Sequence, residues 1–164
     1  MKLKKILNIK MKIDKTYLLM LVPIMLSFIS QALYWKPDIF SKSPKLFFEP
    51  PPYVFGIVWT TIYLLLGVYL FRIYTKKEKY FSYLLFVFCV NLLLNYIWTP
   101  IVMIKMKKKL GMFIIVGMIG TLLSLLVSTT DVISKNLLLP YMTWLIVALL
   151  LNIELLRKQV KFNV

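Results

Sequence analysis

Five stretches of the chain, at 16–35, 50–71, 80–104, 110–130 and 136–153, contain no Asp, Glu, Lys or Arg. An α-helix rises about 1.5 Å per residue, so about 20 mostly apolar residues cross a hydrocarbon core about 30 Å thick. Each stretch is long enough to do so. Inside lipid the backbone has no water to bond, and a helix satisfies its own N–H and C=O groups. Apolar residues make up 60% of the 164 positions and the mean hydropathy is +0.80, well above the roughly 45–50% apolar share of a soluble domain. The expected fold is therefore an all-α integral membrane protein, a bundle of five transmembrane helices at about 16–35, 53–74, 80–104, 110–130 and 137–156. It forms one multi-pass domain over 1–164 whose first partner is the lipid bilayer.

Charge narrows the function further. The formal net charge is +15, but the lysines lie in short clusters between the apolar stretches rather than along one helix face, which argues against nucleic acid as a partner. With five spans, 11 Lys and Arg fall on the N-terminal face and 10 on the other, so charge asymmetry sets no orientation. The single cysteine, Cys89, lies within the third span, and there is no histidine. The commonest general base, metal ligand and haem axial ligand is thus missing. Asp14, Asp38, Glu49, Glu78, Asp131 and Glu154 sit at loops or span ends and suggest no buried catalytic pair. No catalytic residue, metal ligand or obligatory cofactor is expected.

The N-terminal 15 residues are basic, and a basic start before an apolar run is also the pattern of a signal peptide. Here the run of 20 residues exceeds the roughly 7–15 of a signal core, which favours a first helix. Pro23, Ser27, Ser30, Gln31 and Tyr34 give it a mildly polar stripe. Residues 36–52 form the longest connection and carry Lys45, Phe48, Pro50 and Pro51, the elements of a lid over the bundle mouth. The prolines then open the second span, where Gly56, Trp59, Tyr63 and Gly67 share a face at helical spacing.

In the third span Phe88, Asn91, Asn95 and Trp98 share a face, and the two amides need partners inside the bundle. Pro100 kinks the end of that helix. The fourth span, with Gly111, Gly117 and Gly120 and one aromatic, Phe113, reads as a packing helix. The fifth places Pro140 in its first turn and Tyr141, Trp144, Ala148 and Asn152 on one face. Candidate ligand-binding residues are Trp59, Tyr63, Asn91, Asn95, Trp98, Trp144, Ala148 and Asn152. Aromatic walls with a few amides suit a flat, mostly apolar ligand.

The segments KLFFEPPPYVFGIVWTTIYLLLG, LNYIW and LLLPYMTWLIVALLLN, in this order, resemble the TspO/MBR family of tryptophan-rich sensory or translocator proteins, over about 17–156. Lys45, Pro50, Pro51, Phe55, Gly56, Trp59 and Thr60 fit the loop pattern. Leu94, Asn95 and Trp98 fit the third span. Pro140, Tyr141, Trp144, Ala148, Leu151 and Asn152 fit the fifth. Leu46 replaces a family proline and Phe48 a family tryptophan. The resemblance implies a five-helix bundle that binds porphyrins such as protoporphyrin or haem, with the first loop closing the pocket, and members that are often homodimers. Sensing or regulation, light-driven porphyrin breakdown, and transport or scaffolding are all compatible with it. The third span has no Gly or Ala, so a homodimer interface is expected on the glycines of the fourth.

Overall fold

A computed structural model describes residues 15–34, 50–105 and 107–162. The chain enters through a 3₁₀ helix, Lys15–Leu21, and continues directly into α1, Val22–Tyr34. The junction lies beside Pro23, whose ring crowds the carbonyl four residues back and whose nitrogen cannot donate, so the α-helical ladder starts only there. Four longer helices follow: α2, Pro52–Thr75; α3, Phe81–Thr99; α4, Lys108–Ser128; and α5, Val132–Phe162. These four are long and apolar enough to cross a membrane, whereas the apolar helix at Tyr17–Ser30 is shorter. No strand occurs among the described residues.

The helices pack as antiparallel neighbours. α2 opens on the prolines, with Val54 N–H donating to the Pro51 carbonyl at 2.9 Å. Its end is a Schellman turn: Lys77 adopts a positive φ of 50°, Glu78 N–H reaches back to the Ile73 carbonyl at 3.3 Å, and Lys77 N–H to that of Tyr74 at 3.2 Å. That turn reverses the chain into α3. Pro100 ends α3, and the chain runs on as a π-helical turn, Pro100–Ile104, with Lys105 N–H bonded to the Pro100 carbonyl at 3.1 Å. The expected kink is thus a change of helix type.

One expected boundary shifts. The fifth helix begins at Val132 rather than near 137, because Asp131 caps it: its Oδ2 accepts from Ser134 N–H at 2.9 Å and Ser134 Oγ–H at 2.6 Å. Pro140 consequently lies inside the helix rather than in its first turn. The glycines also divide. Gly67 is buried with its Cα against the Met20 backbone, so that a β-carbon there would stand 2.8 Å from the Met20 carbonyl carbon. Gly56 and Gly120 face open space, so Gly56 makes no close approach. Gly117 lies beside Leu94 of the same chain and Gly111 is buried, so the three glycines of α4 do not form one outward face.

The far end of the bundle, where α2 meets α3 and α4 meets α5, is tied by a polar cluster that sequence inspection did not assemble. Glu78 is 6% exposed and accepts from Thr130 N–H at 3.1 Å, Thr130 Oγ1–H at 2.6 Å and Asp131 N–H at 2.8 Å. Burial pushes the Glu78 carboxyl up, but these hydrogen bonds prevail and hold it below its ordinary value. Arg72 bridges to Asp131 at 2.6 Å. The bonds from Ser134 and Arg72 hold the Asp131 carboxyl down at about 2. Beside them Tyr69, fully buried, hydrogen-bonds Thr129 at 2.9 Å. Phe86, Phe113, Val127 and Leu150 point outward, so Phe113 belongs to the lipid-facing belt and not to helix packing. Cys89 is likewise exposed.

A candidate aromatic binding site

Midway along the bundle, four helices meet on one hydrogen-bonded row. Tyr63 of α2 donates its hydroxyl to Asn95 Oδ1 of α3 at 2.7 Å, Asn95 Nδ2 donates to the Tyr141 hydroxyl of α5 at 2.9 Å, and that hydroxyl faces Met118 Sδ of α4 at 3.5 Å. Tyr63, Asn95 and Tyr141 are 6%, 5% and 1% exposed. An unpaired amide in hydrocarbon is costly, and this row pairs both ends of Asn95. It also fixes the rotation of α2, α3 and α5 relative to one another.

Above the row the rings are continuous. Trp59 stacks on Tyr63 with centroids 5.5 Å apart, and Tyr63 stacks on Tyr96 at 6.0 Å. Trp144 meets Trp59 edge-on at 6.4 Å and Phe55 edge-on at 5.4 Å, and Tyr141 lies 6.2 Å from Trp59. The sequence accounts for this placement. Phe55, Trp59 and Tyr63 recur every four residues on α2, and Tyr141 and Trp144 lie three apart on α5, so each set forms a stripe on one helix face. Phe55, Trp59 and Tyr96 remain half-buried while Tyr63, Tyr141 and Trp144 are buried. The cluster thus has a closed floor of hydroxyls and amide and an open aromatic edge toward the N-terminus of α2.

Of the expected residues, Trp59, Tyr63, Asn95 and Trp144 come together here, and Ala148 packs beside the same core one turn beyond Trp144. Asn91 does not join them. Its Nδ2 donates to the Met118 carbonyl at 2.9 Å and to Thr121 Oγ1 at 2.8 Å, so it fastens α3 to α4. Trp98 and Asn152 form a separate locus around Gly111, where a β-carbon would stand 3.4 Å from both Trp98 Nε1 and Asn152 Nδ2. Pro50 is half-buried and Pro51 exposed at the start of α2. Lys45, Phe48 and the rest of the expected lid lie outside the described residues.

Three contributors stand outside the candidate list. Tyr141 was already placed on the face of Trp144 by its spacing, though not among the candidate ligand-binding residues. Phe55 likewise sits one turn before Trp59. Tyr96 lies off the face of Asn95, and only the stack on Tyr63 and its hydrogen bond to the Pro23 carbonyl at 2.8 Å reveal it. Among the described residues, no group of three or more His, Cys, Asp or Glu is placed to hold a metal ion. The arrangement is suited to stacking against a flat π-surface.

The TspO/MBR family profile matches residues 16–157. The tryptophan-rich protein TspO of Archaeoglobus fulgidus is 29% identical over 109 residues, which cover 66% of this chain and 71% of that relative.

Proposed function

The chain belongs to the TspO/MBR family and is a multi-pass integral membrane protein, and from that premise we propose that it is a membrane receptor or regulator that binds a tetrapyrrole, protoporphyrin or haem, against its aromatic cluster. The observation that carries the reading is the unbroken contact of Phe55, Trp144, Trp59, Tyr63 and Tyr96, with centroid separations of 5.4 to 6.4 Å. A macrocycle is a wide π-surface with two carboxylates at one edge. The half-buried faces of Phe55 and Trp59 offer stacking area, and Lys105 and Lys107, exposed at the same end of the bundle, offer cations for the carboxylates.

This reading takes the bundle as five spans. Taken end to end, the 3₁₀ helix at about 2.0 Å per residue and α1 at about 1.5 Å cover roughly 33 Å, enough for the hydrocarbon core despite the shortness of the α-helical part. The termini then lie on opposite faces of the membrane. Titration of the purified protein with protoporphyrin, followed by Soret shift and tryptophan quenching, tests the binding. A saturable complex near one ligand per chain is expected, and absence of any spectral change would remove the reading.

A second reading is light-driven porphyrin breakdown. The ring-to-ring contact of Trp59 with Tyr63 and Trp144 favours it, since oxidisable rings next to a bound pigment can exchange electrons with it. Illumination of the complex decides between the two: pigment lost only with both protein and light supports breakdown, and a complex stable in light supports the receptor.

A further inference from the structure

Two buried polar atoms at the mouth end of the bundle have no hydrogen-bond partner among the described residues: Trp98 Nε1 and Asn152 Oδ1. Asn152 as a whole is 2% exposed. Both side chains converge on Gly111, at which a β-carbon would lie 3.4 Å from Trp98 Nε1 and 3.4 Å from Asn152 Nδ2. The remaining side is closed by Val102, 6% exposed, whose Cγ2 occupies the space where that β-carbon would go. Val102 is placed there by the π-helical turn that follows Pro100. Side chains of α3 and α5 therefore meet the backbone of α4 at Gly111, bringing one N–H donor and one amide together over a glycine.

A buried group left unpaired costs about 1–3 kcal/mol, and buried polar atoms are nearly always satisfied by protein or by an ordered solvent group. Here the two unpaired atoms are of opposite sense. The indole N–H can only donate and the amide oxygen can only accept. One O–H group satisfies both, accepting from Trp98 and donating to Asn152. A carboxylate would satisfy the indole alone and would have to shed its charge in the bundle interior, so the complement is neutral. We infer that Trp98, Asn152 and Gly111 form a binding site for one neutral O–H group, separate from the aromatic cluster. Either water or the hydroxyl of a small alcohol supplies that chemistry, water through bridging of the two side chains.

The site is testable without any tetrapyrrole, so its failure is distinct from failure of the porphyrin reading. In the full chain labelled with ¹⁵N-tryptophan and held in detergent micelles, Trp98→Phe identifies the Trp98 indole resonance by its loss. The expected result is a magnetisation-transfer cross-peak from that N–H to water, absent in Asn152→Leu. Titration with benzyl alcohol separates the two sources. Replacement of the water cross-peak by one to the alcohol's methylene protons assigns the site to alcohols as well, with an apparent affinity about two- to twelve-fold weaker in Asn152→Leu, the equivalent of one hydrogen bond. Persistence of the water cross-peak assigns it to water alone. Two outcomes overturn the inference. One is an N–H that contacts neither water nor alcohol while Trp98→Phe and Asn152→Leu each raise the melting temperature, as removal of truly unpaired groups would. The other is an N–H without solvent contact while the two substitutions lower stability non-additively, which means a direct Trp98–Asn152 bond.

Discussion

Tyr63 and Asn95 face each other across the α2–α3 interface with a hydroxyl-to-amide hydrogen bond of 2.7 Å, both residues buried. This bond separates two roles of Tyr63, since its ring belongs to the aromatic stack and its hydroxyl to the row that ties four helices. Tyr63→Phe keeps the ring and leaves Asn95 Oδ1 without its donor. The expected cost is about 1–3 kcal/mol of stability, read as a lowered melting temperature in detergent, with porphyrin affinity nearly unchanged. A variant as stable as the parent would show that the bond contributes nothing beyond the packing of the ring.

Gly67 and Gly120 yield opposite outcomes for the same substitution. A β-carbon on Gly67 runs into the Met20 backbone, which cannot rotate aside as a side chain can, so Gly67→Ala must push the 3₁₀ helix off α2. The expected loss is about 1–3 kcal/mol, in the range of overpacked cores. Gly120 faces open space, and alanine there gains helix propensity of about 1 kcal/mol. Thermal melts of the two variants check this. If Gly67→Ala melts with Gly120→Ala, the close crossing of the entry helix is not what Gly67 provides.

Helix existence was legible because hydropathy over 20 residues does not depend on neighbours. What the sequence could not show was which neighbour each polar side chain finds. Asn91 and Asn95 lie one turn apart on the same face, yet the first bonds to Met118 and Thr121 of α4 and the second to Tyr63 and Tyr141 of α2 and α5. Crossing helices exchange neighbours along their length, and a helical wheel carries no such information. The same limit hid the far-end cluster. Arg72, Glu78 and Asp131 are up to 59 residues apart and looked like three loop charges. The start of α5 was misplaced for a local reason: the Asp131-x-x-Ser134 cap was readable, yet Asp131 entered only as one more carboxylate at a loop or span end.

The far-end cluster makes stability acid-sensitive in a defined direction. The Asp131 carboxyl is held at about 2, below its ordinary 3.8, and Glu78 is also held below its ordinary value. A carboxylate with a lowered folded-state pKa stabilises the fold fully above its unfolded value, and that contribution is lost as pH falls through the folded one. The melting temperature should therefore be flat from pH 7 to about 5 and fall below about pH 4. Asp131→Asn should melt lower at pH 7, and its gap to the parent should narrow as the pH falls from 5 toward 3. A constant gap over that range would mean that the Arg72 and Ser134 bonds survive without the charge.

The aromatic cluster makes the sharpest prediction about ligand binding. Trp144 is 8% exposed and touches both Phe55 and Trp59, whereas Phe113 is 67% exposed on the lipid face of α4. An aromatic contact adds about 0.5–1.5 kcal/mol beyond buried area, or roughly a two- to twelve-fold change in affinity. Trp144→Ala and Trp59→Ala should each weaken protoporphyrin binding by at least that factor, and Phe113→Ala, which removes an aromatic ring from the outside, should leave it unchanged. Soret titration of the three variants, with helicity matched by circular dichroism, measures this directly. Equal affinity in all three would place any bound porphyrin away from the cluster, and weakening in Phe113→Ala alone would move the binding surface to the lipid-facing side of α4.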